Sequence, residues 1–145
     1  MSDPQEDEPR ARPLILLADD DLTIRALVRG ALELIDCDII EAEDGDEALE
    51  RILTDEPDLV VLDVMMPGLT GWEITRYIRE REGYDDILIL MLTAVGEAVN
   101  ALTAPLYGAD KHLDKPFDLD EMTSAVRELL AERRSRRGRA GGKSR

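Results

Sequence analysis

The sequence predicts a doubly wound α/β domain in which five short parallel strands form one sheet with helices on both faces. Two observations carry that prediction. Apolar runs bounded by turn residues recur at LILLA (Leu14 to Ala18), DII (Asp38 to Ile40), LVVL (Leu59 to Leu62), ILILML (Ile87 to Leu92) and the short KHL (Lys111 to Leu113), and the stretches between them carry apolar residues at helical spacing. The runs are nearly continuous rather than alternating, which is the pattern of parallel strands buried on both faces.

Each helix follows from its own apolar stripe. After the first strand the stripe is Ile24, Leu27, Val28, Ala31, Leu32 and Ile35; after the second, Ala48, Leu49 and Ile52; after the third, Ile74, Tyr77 and Ile78. A fourth helix is expected from about Gly96 to Leu106, where Pro105 removes a backbone donor and should kink or shorten it. The last stripe, Met122, Ala125, Val126, Leu129 and Leu130, closes the domain. The folded unit is expected over residues 14–132, between a disordered acidic tail at 1–13 and a basic, disordered tail at 133–145.

Composition narrows the function classes. The single cysteine, Cys37, has no partner within the chain, and the first twelve residues are charged with no apolar run resembling a signal peptide, so a reduced, cytoplasmic location is expected. The longest apolar run, Ile87 to Leu92, is far short of the ~20 residues a membrane helix needs, so no span is expected. Of the net charge of −15, the tail from Arg133 to Arg145 contributes seven basic residues and no acid, which leaves about −22 on the rest. Nucleic acid is therefore an unfavourable partner for the folded body, although the tail could touch phosphate-rich partners, either nucleic acid or anionic lipid.

In doubly wound folds chemistry sits at the carboxyl ends of the strands. Here the first strand runs into Asp19, Asp20 and Asp21, the third into Asp63, the fourth into Thr93, and the fifth is followed by Lys115 and Pro116. Any one of these could be an ordinary helix cap or loop former, but four complementary strand ends on one rim point to a site. Clustered carboxylates repel one another unless a cation lies among them, and a hard, oxygen-lined site with few protein ligands suits Mg²⁺. With such an ion bound, one carboxylate can attack phosphorus while Lys115 and Thr93 neutralise the oxygens of the transferring group. Asp63, alone at the end of a buried strand, is the candidate nucleophile, and Asp19 and Asp20 form the acidic cradle.

ILLADDD (Ile15 to Asp21), PDLVVLDVMMPGLTG (Pro57 to Gly71), LTA (Leu92 to Ala94) and GADKHLDKPFD (Gly108 to Asp118) together resemble, in order and spacing, the receiver domains of bacterial response regulators, whose fold is flavodoxin-like. The resemblance implies a phosphoaspartate at Asp63 and Mg²⁺ held by Asp20, Asp63 and the backbone carbonyl of Met65, with Asp19 acting through water. It also implies that Lys115 pairs with the phosphoryl group, that Thr93 moves to bind it, and that the Lys115–Pro116 bond is cis. The implied partners are a sensor histidine kinase or phosphotransfer protein and a downstream protein target.

Further features bear on how such a domain would switch and signal. His112 stands where the family usually has the Tyr or Phe that swings inward with the switch hydroxyl, so it is a candidate switch residue. Met65 and Val95, two residues beyond the acceptor and the switch hydroxyl, are apolar and should slow loss of the phosphoryl group. No output domain is expected after the last helix, which suggests a single-domain regulator acting by protein contact. The GGKS segment at Gly141 to Ser144 is not read as a phosphate loop, because Arg137 replaces its first glycine and no helix follows.

Three rival classes fit the residues less well. An aspartyl-phosphate phosphatase wants a second Asp two residues after the nucleophile, where Met65 stands, so a stoichiometric acceptor is expected rather than a turnover enzyme. A receiver-like adaptor that works without phosphorylation would not need the full set of Asp19, Asp20, Asp63, Thr93 and Lys115. A flavodoxin-like cofactor carrier would need a Ser/Thr-rich phosphate loop after the first strand, and that loop is missing.

Overall fold

The computed structural model describes residues 12–94 and 108–144, with side chains described as far as Arg133. The strands are β1 (Leu14–Ala18), β2 (Asp38–Ala42), β3 (Leu59–Asp63), β4 (Leu88–Thr93) and β5 (Lys111–Asp114); the described helices are α1 (Leu22–Leu32), α2 (Gly45–Asp55), α3 (Gly71–Arg79) and α4 (Leu119–Ser144). All strands pair in parallel in the order β2-β1-β3-β4-β5. The expected helix from Gly96 to Leu106 with Pro105, and Val95 before it, lie outside the described residues.

The unbroken apolar strands are explained by a core on each side of the sheet. Strand alternation sends Ile15, Leu17, Leu59, Val61 and Leu90 toward α1 and α4, where Val28, Leu32, Met122 and Val126 meet them. Leu16, Ala18, Val60, Leu62 and Ile89 face the other way, onto Ala48 and Ile52 of α2 and Ile74 and Ile78 of α3. Each fully buried Leu or Ile contributes about 1.5–3 kcal/mol. The chain runs outward from β1 to β2 and then returns to place β3 on the opposite side of β1, so the strand order reverses there and a crevice opens between their carboxyl ends.

Some expectations shift in detail. The helical stripe predicts a helix reaching Ile35, but α1 ends at Leu32; Leu34 and Ile35 then bond back to the carbonyls of Ala31 and Leu32 in tight turns that still seat Ile35 against the core. Tyr77, grouped by spacing with the buried Ile74 and Ile78, is 39% exposed instead, with the Arg81 guanidinium 5.3 Å from its ring centre. It lies at the edge of the apolar stripe, where an amphipathic ring can remain in water.

Both ends of the folded unit extend beyond the expected boundaries. Arg12 and Pro13 are tied down: Arg12 Nη2 donates to Cys37 O at 2.7 Å, and Asp38 N donates to Pro13 O at 2.9 Å. At the other end the segment expected to be disordered continues α4 to Ser144. Its first residue, Arg133, is structural. Nη1 donates to Asp58 Oδ1 at 2.5 Å and Nε donates to Asp86 O at 3.0 Å, while Asp58 Oδ2 accepts from Leu14 N at 2.7 Å. This ion pair clips α4 to the starts of β1, β3 and β4.

The Arg133 and Asp58 side chains are only 11% and 6% exposed, so removing one partner strands the other charge in a poorly hydrated place. Arg133→Ala should therefore lower stability to urea unfolding by about 3 kcal/mol, and a chain ending at Glu132 should lose as much, whereas one ending at Arg134 should not.

Candidate functional site

The rim is built from loops held by their backbones. Asp19 follows β1, where its N–H donates to Ala42 O across the sheet at 3.2 Å. Asp21 serves α1 as N-cap, accepting from Thr23 N at 2.8 Å and Ile24 N at 3.4 Å, so this third acid has the ordinary capping role. Its own N–H donates to Asp19 Oδ1 at 2.9 Å. One turn into α1, the buried Arg25 donates through Nη1 to Asp19 O at 2.6 Å and through Nε to Glu41 Oε1 at 3.2 Å, binding the loop to the end of β2.

Asp63 closes β3, and the loop after it folds back tightly. Val64 N donates to Leu92 O at 3.1 Å and Gly71 N donates to Val64 O at 2.8 Å. A Cβ on Gly71 would lie 2.7 Å from Asp63 O, so glycine there lets α3 start against the backbone of the candidate nucleophile. Thr70 and Glu73 form a reciprocal capping box that fixes where the helix starts. Half-buried Trp72 is the second residue of this helix and a natural optical probe of the loop.

Lys115 completes the arrangement. Its bond to Pro116 is cis, as the resemblance implied. Its N–H donates to Thr93 O at 2.7 Å, and Nζ lies 3.1 Å from both Asp19 Oδ2 and Asp63 Oδ1. Asp19 is fully buried and Asp63 nearly so, while Asp20 is exposed at the mouth. One ammonium thus serves two buried carboxylates, with a third nearby.

The electrostatics follow from that count. Burial and the neighbouring Asp19 raise the Asp63 pKa from 3.8 to about 6, against the opposing pull of Lys115. Burial alone would lower the Lys115 pKa, but Asp63 and Asp19 outweigh it and hold the ammonium charged, with its pKa raised. Carboxylate oxygens of Asp19, Asp20 and Asp63 lie within 4.8 Å of one another, a hard-donor set with surplus negative charge that fits a divalent cation. A buried carboxylate beside a fixed ammonium is equipped for nucleophilic attack on an anionic, electrophilic centre.

The structure therefore brings Asp19, Asp20, Asp63 and Lys115 together as the sequence suggested. Met65 lies on the loop two residues beyond Asp63 with its side chain 60% exposed. Thr93 is fully buried, and its hydroxyl donates to Asp114 Oδ1 at 2.7 Å. His112 sits on the exposed side of the edge strand β5 with its side chain in solvent, opposite Met91. Two polar residues were overlooked. Arg25 carried a signal, since it shares the buried stripe of Val28 and Leu32; Asp114 carried none beyond adjoining Lys115.

Comparison with known proteins agrees with this geometry. Residues 15–127 match the family model of the response regulator receiver domain. The chain belongs to that family. Its function class is two-component signal transduction. The receiver is 46% identical over 119 residues to the response regulator MprA of Mycolicibacterium vanbaalenii, covering 80% of this chain and 49% of that protein. It is 40% identical over 118 residues to the DNA-binding dual master transcriptional regulator RpaA of Synechocystis, covering 81% and 49%. The chain thus spans about half the length of the curated relatives it matches. Among solved structures, the Francisella response regulator 1452 receiver domain aligns with a TM-score of 0.75 at 32% identity, covering 83% of this chain and 98% of that one. The chemotaxis response regulator CheY4 of Vibrio cholerae aligns at 0.76 and 28%, covering 82% and 99%. Among the described residues, no helix is long and apolar enough to cross a membrane.

The raised Asp63 pKa has a consequence for stability. Unfolded Asp63 titrates near 3.8 and folded Asp63 near 6, so between these values the folded chain keeps a proton that the unfolded chain has lost. Stability should fall as pH rises through that window, by up to about 3 kcal/mol for Asp63 alone. In chelator, Asp63→Asn should be more stable than the parent above pH 6, the gap closing toward pH 4; urea unfolding across that range measures it, and a gap that does not change with pH would contradict the assignment.

Proposed function

We propose that this receiver is a stoichiometric phosphoryl acceptor on Asp63 that changes conformation to control a downstream protein. The observation that carries the reading is the shared ammonium: Lys115 Nζ bridges a nearly buried Asp63 and a fully buried Asp19, next to a third carboxylate. A structural ion pair needs neither the third acid nor a raised carboxyl pKa.

In this reading Asp19, Asp20 and Asp63 hold Mg²⁺, with the backbone carbonyl of Met65, and the ion supplies charge neutralisation for an incoming phosphoryl group. Lys115 engages Asp63 Oδ1, so attack falls to Oδ2. An oxygen–phosphorus bond forms as the bond from phosphorus to the donor nitrogen or oxygen breaks, and the leaving group takes up a proton. Lys115 then pairs with the phosphoryl oxygens, and Thr93 turns its hydroxyl toward them. The acceptor turns over only by its own slow hydrolysis, so it is not an enzyme in the ordinary sense. A sensor histidine kinase or a phosphotransfer protein supplies the group.

Arg25 supports the site from behind by fixing the Asp19 carbonyl, and His112, exposed on β5, belongs to the face on which a downstream partner would read the switch. The test is intact mass after incubation with acetyl phosphate. The parent should gain one phosphoryl adduct with Mg²⁺ and none with excess chelator, and Asp63→Asn none in either case. Undiminished labelling in chelator, or in the variant, would remove Asp63 and its cradle from the mechanism.

A further inference from the structure

Thr93 ends β4 with its side chain fully buried and its hydroxyl already engaged: Oγ1 donates to Asp114 Oδ1 at 2.7 Å. Asp114 lies directly opposite it in the register of β4 and β5 and immediately precedes Lys115. The backbone reinforces the pairing, because Lys115 N donates to Thr93 O at 2.7 Å. The candidate switch hydroxyl is thus held by a carboxylate one residue from the ammonium that would meet the phosphoryl group.

A threonine hydroxyl has one proton to donate. It cannot serve Asp114 and a phosphoryl group on Asp63 at the same time, so each engagement of the phosphoryl group breaks a charge-assisted bond, the stronger class of hydrogen bond. We infer that Asp114 is a positioning residue that holds Thr93 in its resting orientation and so sets how readily this receiver responds to its phosphoryl group. The inference rests on the acceptor role of Asp63 and adds the residue that competes with it. The two acceptors divide one donor, and the ratio of their affinities for it fixes the balance between resting and engaged forms.

The ordinary alternative is that Asp114 merely satisfies a buried hydroxyl. Both readings make Asp114→Ala somewhat less stable, since the hydroxyl loses its partner. Only the positioning role makes the same variant bind a phosphoryl mimic more tightly. The gain should be about three- to tenfold, the usual scale for a hydrogen bond whose acceptor is partly hydrated. Asp114→Asn is isosteric and keeps an acceptor oxygen without the charge, so it should fall between parent and Asp114→Ala.

The experiment is a beryllofluoride titration at fixed Mg²⁺, read by Trp72 fluorescence, on the parent, Asp114→Asn, Asp114→Ala, Thr93→Ala and the Thr93→Ala, Asp114→Ala double variant. Half-saturation should fall in the order parent, Asn, Ala, and adding Asp114→Ala to Thr93→Ala should change nothing. Equal or weaker binding in both Asp114 variants would overturn the inference, and so would an equal gain in the Thr93→Ala background, which would assign the effect to charge repulsion alone. In either case a parent that still responds leaves the acceptor role standing. A parent that neither responds to beryllofluoride nor gains a phosphoryl adduct overturns both.

Discussion

Two buried carboxylates sharing one ammonium is the constraint on which this receiver is organised. Unit charges about 4 Å apart interact by about 4 kcal/mol at an effective dielectric near 20, and Lys115 pulls the Asp63 carboxyl toward its ionised form. Yet one positive charge does not balance three negative ones. The Asp63 carboxyl is raised to about 6, first by burial and then by the neighbouring Asp19. What stabilises the site further is more positive charge, and what uses it is an anionic group that brings Lys115 and a cation into contact with its oxygens. The same imbalance that costs folding stability prepares the acceptor.

The fold exists in this form to bring those three side chains to one place. Asp19 comes from the end of β1, Asp63 from the end of β3 and Lys115 from just beyond β5, separated in the chain by 44 to 96 positions. Parallel pairing aligns their strand ends on one rim, and the reversal of strand order beside β1 leaves the space above them. Local devices then remove the remaining freedom: the Asp21 cap, the Arg25 bond to the Asp19 carbonyl, and the glycine that seats α3 against Asp63. Among the described residues, the Thr93 hydroxyl is held by a side chain rather than by the backbone ladder.

Much of this was legible in the sequence because the informative residues obey rules that act within a few positions. Continuous apolar runs mark parallel strands, and acids, a hydroxyl and a lysine at strand ends mark the rim; all five strands followed, as did the meeting of Asp19, Asp20, Asp63 and Lys115 on one rim. The misses share a different cause. Arg133 pairs with Asp58 across 75 positions, and the Asp114 bond to Thr93 spans 21, so each depends on tertiary pairing that a local pattern does not encode. The basic composition of the tail hid Arg133, whose role is set by Asp58 at the start of β3 and not by its neighbours in the chain. Tyr77 turned outward because a stripe position at the edge of a helix face is decided by what packs opposite.

The chemistry of this rim depends on a buried Asp63 whose charge is incompletely compensated. The direct measurement is an NMR titration of the Asp63 side-chain carboxyl carbon, without divalent ions and then with saturating Mg²⁺. The account predicts a midpoint near 6 in the metal-free protein, falling by more than about one pH unit when the ion binds, because the cation favours the ionised form. A metal-free midpoint near 4, or one that Mg²⁺ leaves unmoved, would contradict it.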